Sequence, residues 1–205
     1  MRTRPEVELA VKPCSKVDSS SCRVGWFVMC WVRLRHAWAR VVLALLIVTF
    51  AGRAAEIPRK APELIIRLPG GKQIKLSDFR GKVVALEFLL TTCPHCKRTS
   101  STMERVYRDL GPKGFQPLGA AFNDGAESLV AGYVQELGLT YPVGYTDRDT
   151  VIAFLQHPVM LTLWTPQLVL IDKKGMIRAQ YPGTHQFFRN EEENLRYMVE
   201  RLLKE

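Results

Sequence analysis

The amino-acid sequence predicts a mixed α/β fold, in which a central β-sheet is flanked by helices. Residues 83–90 and 115–122 are apolar runs of the kind that form strands buried on both faces of a sheet. Helix-compatible segments follow both runs, and the chain finishes in a β-hairpin and an amphipathic helix. Strands that alternate with helices in this way are typical of a layered α/β domain.

The N-terminal segment differs in composition from the rest of the chain. Residues 1–55 contain nine Lys and Arg against three Asp and Glu, whereas residues 56–205 contain twenty against seventeen. The formal net charge of +9 therefore comes mainly from this leader, and no basic stretch interleaved with aromatic residues follows it. The sequence does not predict binding to nucleic acid.

Residues 29–55 have the pattern of an export signal. A basic stretch, 33–40, precedes a twelve-residue apolar run, 41–52, and Ala54 and Ala55 follow soon after. This pattern predicts a signal peptide cleaved after one of these alanines, or a signal-anchor that holds the protein in the inner membrane through the apolar run. Either form predicts an exported protein, with its domain in the periplasm or another extracytoplasmic space.

These patterns divide the chain into four parts. Residues 1–28 fit no part of a signal, and Met29 stands just before the basic stretch. We therefore interpret 1–28 as a mis-assigned start or a disordered extension, and 29–55 as the signal peptide or signal-anchor. Residues 56–62, which contain Pro and charged side chains, are predicted to be a linker. Residues 63–205 are predicted to form the folded domain.

A β-hairpin opens the folded domain and leads into the central strand. Short strands are predicted at 63–68 and 73–76 around the turn 69–72, which contains Pro and two Gly. The central strand, 83–90, then delivers the chain into a helix over 94–110. A Gly-Pro pair follows that helix and ends it.

The second half of the domain repeats this alternation. Gly138 ends one predicted helix as a left-handed cap, and Thr146 or Asp147 begins the next. The predicted elements are a strand at 115–122, a helix at 126–137, a strand at 141–145, a helix at 147–155, strands at 167–171 and 176–180 around the turn 172–175, and a helix at 191–203.

A Cys-Pro-His-Cys sequence lies where the central strand passes into the first long helix. Pro94 falls at the first helical position, which favours Pro because an N–H there has no partner in the helix. Cys93 is therefore expected at a helix N-terminus, whose partial positive charge stabilises a thiolate. Cys96 is one turn further along and close enough to close a disulfide. This arrangement suits thiol–disulfide exchange.

Two other interpretations of the cysteine pair are weaker. A structural zinc site needs two further ligands, but His157 and His185 stand alone and the other cysteines lie in the leader. A purely structural disulfide across so short a loop would constrain the unfolded chain little. An exported domain with one cysteine pair also suits catalysis better than a disulfide scaffold.

The sequence resembles the thioredoxin superfamily, and within it the exported TlpA/ResA-like thiol–disulfide oxidoreductases of the redoxin-like branch. The resemblance spans residues 61–205 and rests on LSDFRGKVVALEF at 76–88, CPHC at 93–96 and TPQLVLIDKKGMI at 165–177. It implies a thioredoxin-like fold with the hairpin as an N-terminal extension. It also implies protein thiol or disulfide substrates, a membrane or periplasmic redox partner, and neither a cofactor nor a metal.

The resemblance implies roles for individual residues. Cys93 would be the attacking thiolate and Cys96 the resolving thiol, with a redox-active disulfide Cys93–Cys96 between them. Pro166, preceded by Thr165, takes the place of the cis-proline that faces the disulfide in this superfamily. Glu87 takes the place of a buried acid that assists deprotonation of the resolving cysteine. The alternative for this residue is a Glu at an open sheet edge.

Two positions depart from the pattern of these relatives, and the dipeptide between the cysteines is informative. Thr92 replaces a Trp that is common before the first cysteine, and Thr99 replaces the acid that ResA-like reductases carry three residues after the second.

Pro94 and His95 form the dipeptide of the periplasmic oxidant DsbA. We expect His95 to direct a hydrogen bond or positive charge toward Cys93, which lowers the pKa of that thiol and makes the disulfide more oxidising than that of thioredoxin.

Two other functions on the same fold are the alternatives. A Sco-like copper chaperone would use a CxxxC pair and a His before the late strand, where this chain has CxxC and Trp164. A thiol peroxidase would need Pro and Thr at the positions that Leu86 and Leu90 occupy. The oxidoreductase fits these residues better than either.

Overall fold

The computed structural model describes residues 56–205, and within them one mixed β-sheet organises the chain. The strands lie in the order β1-β8-β7-β4-β5-β6-β2-β3. Strand β4 is parallel to β5 and antiparallel to β7, so it is paired along both sides. The strands are β1 (Arg59–Lys60), β2 (Ile65–Arg67), β3 (Gln73–Lys75), β4 (Val83–Leu89), β5 (Phe115–Ala121), β6 (Val143–Tyr145), β7 (Gln167–Ile171) and β8 (Met176–Pro182).

Helices cover both faces of the sheet. In the described residues they are α1 (Pro94–Leu110), α2 (Ala126–Leu137), α3 (Arg148–Leu155) and α4 (Glu191–Lys204). Val106 of α1, Val130 of α2 and Leu195 of α4 belong to one hydrophobic core, whereas Phe154 of α3 packs in a second core with Ile66 of the hairpin. Short 3₁₀ turns lie at Leu76–Phe79, Gly111–Lys113 and Gln186–Asn190.

Strand β4 sends alternate side chains into the two cores, and all of its residues are buried. Ala85 and Leu89 pack beneath α1, whereas Leu86 and Phe88 pack in the opposite core. This alternation follows from the two-residue period of a strand. Glu87 lies on the same face of β4 as Ala85 and Leu89, so its side chain enters the core on the side of α1.

The helices and central strands agree closely with the elements predicted from the sequence. Helices α1 and α2 and strand β7 have the predicted bounds. Asp147 caps α3, because its Oδ1 accepts a 2.7 Å hydrogen bond from the amide of Thr150. The predicted hairpin is present as β2 and β3, and it continues the sheet beyond β6. The predicted fold class is confirmed.

The structure differs from the prediction in the segment that was predicted to be a linker. Within 56–62, Arg59 and Lys60 form β1 and pair with the start of β8. Arg59 Nη2 also donates 3.0 Å hydrogen bonds to the Phe154 carbonyl and to Gln180 Oε1. These partners lie far along the chain, so local composition alone gives no sign of them.

The leader lies outside the described residues. The extension 1–28 and the signal 29–55 therefore stay predictions. Within residues 56–205, no helix has both the length and the apolar composition that crossing a membrane requires.

Candidate active site

The loop between β4 and α1 positions the cysteine pair. Cys93 is the N-cap of α1, and Pro94 occupies the first turn of the helix, as predicted. The amide of Cys93 donates a 3.0 Å hydrogen bond to the Leu90 carbonyl, and the amide of Thr91 donates a 2.9 Å bond to Asn123 Oδ1. These bonds hold the loop to the ends of β4 and β5, and thereby fix where α1 begins.

Cys93 is the partly exposed thiol of the pair, and its surroundings favour the thiolate. The Thr165 hydroxyl donates toward Cys93 Sγ at 3.9 Å. Burial acts to raise the pKa of Cys93, but the amide and thiol of Cys96, the Thr165 hydroxyl and the amide of His95 outweigh it. The pKa of Cys93 therefore lies below its usual value. This thiol has the properties of a nucleophile.

Cys96 differs from Cys93 in both exposure and acidity. Its side chain is fully buried, and both cysteines are free thiols in this structure. Burial, reinforced by the negative charge of Glu87, raises the pKa of Cys96 far above its usual value. The motif thus holds one thiol that ionises readily and one that stays protonated.

Glu87 is buried in the core on the α1 side of β4. Its Oε2 accepts a 2.6 Å hydrogen bond from the Ser100 hydroxyl, which also shares a 2.8 Å hydrogen bond with the Tyr133 hydroxyl. Burial raises the pKa of Glu87 well above its usual range, and the charges of Glu191 and Cys93 add to this against the opposing Ser100 bond. Because β4 is paired on both sides, the alternative of a Glu at an open sheet edge is excluded.

Thr165 and Pro166 bring the start of β7 to the cysteine pair. Their peptide bond is cis, the isomer that the resemblance implies. Gly183, directly after β8, packs against this bond: a Cβ there would lie 2.4 Å from the Thr165 oxygen and 3.0 Å from the Pro166 nitrogen. A side chain at 183 would therefore displace the loop. No local pattern in the sequence marks Gly183, because the contact joins two separate segments.

His95 contributes to the site differently from the expectation. Its backbone amide is the group that acts on Cys93, whereas its ring packs edge-on against Phe188 at a centroid distance of 5.0 Å. Burial and the positive charge of Arg98 lower the pKa of His95, so the ring is neutral at pH 7. The predicted positive charge beside the thiolate is therefore not supported.

The segment between β8 and α4 contributes side chains that were not predicted from the sequence. Phe187 stacks on Tyr181 at a centroid distance of 4.2 Å, and Phe188 covers the His95 ring. Glu191, the first residue of α4, is also buried. The sequence does show an aromatic pair, Phe187 and Phe188, shortly before the acidic start of α4.

An exposed apolar loop leads up to the cis-proline. Val159, Met160, Leu161 and Trp164 are 77%, 91%, 62% and 57% exposed. Exposed apolar side chains that occur as a group, rather than singly, indicate an interaction surface. The loop ends at Thr165, whose hydroxyl lies 3.9 Å from Cys93 Sγ, so this apolar surface borders the site.

The two late histidines take part in loop contacts. His185 Nδ1 accepts a 3.0 Å hydrogen bond from the amide of Phe187, and His157 Nε2 lies 3.3 Å from the Leu161 carbonyl. Across residues 56–205, no three His, Cys, Asp or Glu side chains are grouped as a metal ion would require.

Known proteins that are similar to this chain in sequence or in structure include several named for thiol–disulfide chemistry. The AhpC/TSA family matches residues 57–180. A thiol-disulfide oxidoreductase ResA from Geobacillus kaustophilus is 32% identical over 133 residues, which is 64% of this chain and 72% of that protein. A thioredoxin-family thiol:disulfide interchange protein from Chlorobium tepidum has a TM-score of 0.61 at 23% identity, covering 73% of this chain and 99% of that one. A thiol:disulfide interchange protein from Bacteroides sp. has a TM-score of 0.59 at 21% identity, over 75% and 93% of the two chains.

Proposed function

This chain belongs to the AhpC/TSA family and is a thioredoxin-like thiol–disulfide oxidoreductase, and we propose that Cys93 and Cys96 exchange disulfides with protein substrates outside the cytoplasm. The observation that carries this proposal is the contrast between the two thiols. Cys93 is partly exposed with a lowered pKa, whereas Cys96 is buried with a raised pKa. Such a pair attacks with one thiol and retains the other for the second step.

The exchange proceeds in two displacements. The Cys93 thiolate attacks one sulfur of a substrate disulfide, and the other sulfur leaves as a thiolate. Cys96 then loses its proton and attacks Cys93 Sγ, which releases the substrate as a second thiolate and leaves the Cys93–Cys96 disulfide. The same two displacements, run in the reverse order, transfer that disulfide to a substrate dithiol.

Neighbouring residues support each displacement. The Thr165 hydroxyl, held in place by Pro166, stabilises the Cys93 thiolate before attack. We assign Glu87 as the group that receives the proton of Cys96 in the second step. A carboxyl whose pKa is raised toward the working pH is a better base than an ordinary carboxylate.

The apolar loop supports polypeptides as substrates. Val159, Met160, Leu161 and Trp164 border the reactive thiol and are exposed. We assign this surface to the polypeptide that flanks the reacting cysteine of the substrate. Burying these side chains against an apolar segment contributes about 25 cal/mol per Å² of apolar area, which favours partly unfolded chains over small disulfides.

Export is the second part of the proposal and rests on the signal pattern of residues 29–55. A reporter enzyme that is active only outside the cytoplasm, fused after Arg59, should be active. The matched control deletes the apolar run 41–52 and should be inactive. An inactive reporter in the fusion that retains the apolar run would contradict export.

Trapping of mixed disulfides tests the roles of the two cysteines. Cys96→Ser blocks release, so the variant should accumulate covalent adducts that a reductant dissolves. Cys93→Ser should form none, and neither should the double variant. Adducts that persist in Cys93→Ser and vanish in Cys96→Ser would reverse the assignment.

A further inference from the structure

Glu191 places a buried carboxylate beside helix α1. The residue is 7% exposed, and both carboxylate oxygens are buried without a hydrogen-bond partner among the described residues. The two glutamates that follow behave differently: Glu192 pairs with Arg105 at 2.8 Å, and Glu193 is exposed. Burying an unpaired carboxylate costs free energy, so stability does not explain this position.

A surface cavity of about 380 Å³ lies against Glu191. Burial raises the pKa of Glu191, while the Thr99 hydroxyl and the charges of Arg98 and Arg105 partly offset that effect. Three arginines line this opening to solvent, and one of them, Arg105, is paired with Glu192. The other residues that line the cavity are Arg98, Thr102, Arg105, Phe188, Arg189 and Glu192.

The inner side of Glu191 faces the surroundings of Cys96. Thr99, which follows Cys96 by one turn of α1, is fully buried, and its hydroxyl lies beside the Glu191 carboxylate outside full hydrogen-bonding geometry. Glu87 of β4 is close enough for the charge of Glu191 to raise its pKa. The other titratable groups around this pair are Cys93, Tyr133 and Tyr141, and the pKa of each tyrosine is raised by burial.

The buried position of Cys96 and Glu87 creates a need for a proton route. Both side chains are fully buried, yet Cys96 must lose a proton before it can attack. Glu87 must also be ionised before it can accept that proton. A residue that lines a solvent cavity and has its carboxylate in the core meets these two needs.

Building on the roles proposed above for the cysteines and Glu87, we propose that Glu191 is a positioning residue of the exchange reaction, which takes the proton from Glu87 and passes it to solvent through the arginine-lined cavity. In that step the S–H bond of Cys96 breaks and its proton leaves by way of the two carboxyl groups. The S–S bond between Cys96 and Cys93 forms as the S–S bond between Cys93 and the substrate breaks, and the substrate departs as a thiolate. No further oxidant or reductant enters the step.

Reaction of the reduced full-length protein with dithiobis-nitrobenzoate separates the two displacements. This aromatic disulfide releases one coloured thiolate when Cys93 attacks it, and a second when Cys96 closes the protein disulfide. We expect Glu191→Gln to slow the second release about tenfold at pH 7 and to leave the first within about twofold, as loss of a proton-transfer group does. Formate, which is small enough to enter the cavity, should restore part of the second release.

Glu193→Gln is the matched control, because Glu193 lies in the same helical turn and is exposed. Glu191→Asp keeps the carboxylate and should retain more of the second release than Glu191→Gln, which covers the case that the Gln variant folds poorly. Unchanged release in Glu191→Gln, equal slowing of both releases, or slowing that formate does not relieve would each overturn the proposal for Glu191. A first release that survives in Cys93→Ser would instead overturn the proposed roles of the cysteines.

Discussion

The Ser100 hydroxyl donates a 2.6 Å hydrogen bond to Oε2 of Glu87, and both residues are fully buried. This bond favours the ionised carboxylate, but burial outweighs it and keeps the pKa of Glu87 well above its usual range. In the unfolded chain the same carboxyl ionises at its ordinary pKa. The folded state therefore binds more protons than the unfolded state across the interval between the two values.

We expect the stability of the protein to reflect this difference. The contribution of Glu87 to the free energy of unfolding should fall as pH rises from about 4.3 towards the raised pKa, by about 1.4 kcal/mol for each pKa unit of displacement. Glu87→Gln keeps an oxygen for Ser100 but does not titrate, so it should flatten the decline. Denaturant unfolding at several pH values measures this, with the exposed Glu200→Gln as control. Parallel curves for Glu87→Gln and wild type would contradict the expectation.

The two functions of His95 can be separated by substitution. His95→Pro removes the backbone N–H that acts on Cys93, whereas His95→Ala removes only the ring that packs on Phe188. We expect only the Pro variant to raise the pKa of Cys93 and to make the disulfide less oxidising. One pKa unit corresponds to about 1.4 kcal/mol, or about 30 mV for a two-electron couple.

Ultraviolet absorbance of the thiolate gives the pKa of Cys93 in both His95 variants, and equilibration with glutathione gives the potential. A larger shift in His95→Ala than in His95→Pro would show that the ring governs the thiolate.

Gly183 should be intolerant of any side chain. Gly183→Ala places a methyl group 2.4 Å from the Thr165 oxygen, so the loop that carries the cis-proline must move. We expect a loss of about 1–3 kcal/mol in the free energy of unfolding and slower alkylation of Cys93.

Gly132→Ala is the control, because no atom lies within 4 Å of its added Cβ and it lies within α2. That change should stabilise by about 0.5–1 kcal/mol. Equal effects of the two substitutions would refute the packing argument.

The apolar loop should discriminate between substrates. Met160→Ser and Trp164→Ala remove exposed apolar side chains beside the site, so the KM for a protein disulfide should rise about tenfold, a cost of about 1.4 kcal/mol. Reaction with dithiobis-nitrobenzoate should not change, since this small disulfide carries no polypeptide that could pack on the loop. Leu129→Ala removes a comparably apolar side chain that is 43% exposed on α2 and serves as control. A similar loss with both substrates would indicate damage to the site itself.

The sequence predicts the local part of this structure well. The bounds of α1 follow from Pro94 and the Gly-Pro pair, and those of α2 follow from Gly138, because caps and turns are encoded within a few residues. The apolar run of β4 similarly indicates a central strand, and the motif at its end indicates the site.

The remaining features depend on contacts between distant segments. The pairing of Arg59 with β8, the packing of Gly183 on Thr165, and the cover that Phe188 gives to His95 each join parts of the chain that only the sheet order brings together. The positive charge expected on His95 is not supported for the same reason. The ring packs against Phe188, a residue outside the motif, and burial lowers its pKa. Periodicity and turn chemistry carry no information on such partners.

The outermost strands of the sheet are short and charged. β1 has two residues, Arg59 and Lys60, and β3 has three, which include Lys75. A long, flat outer strand offers unpaired backbone groups on which a foreign chain can add. Each of these two short outer strands therefore offers few backbone groups to which a foreign chain could pair.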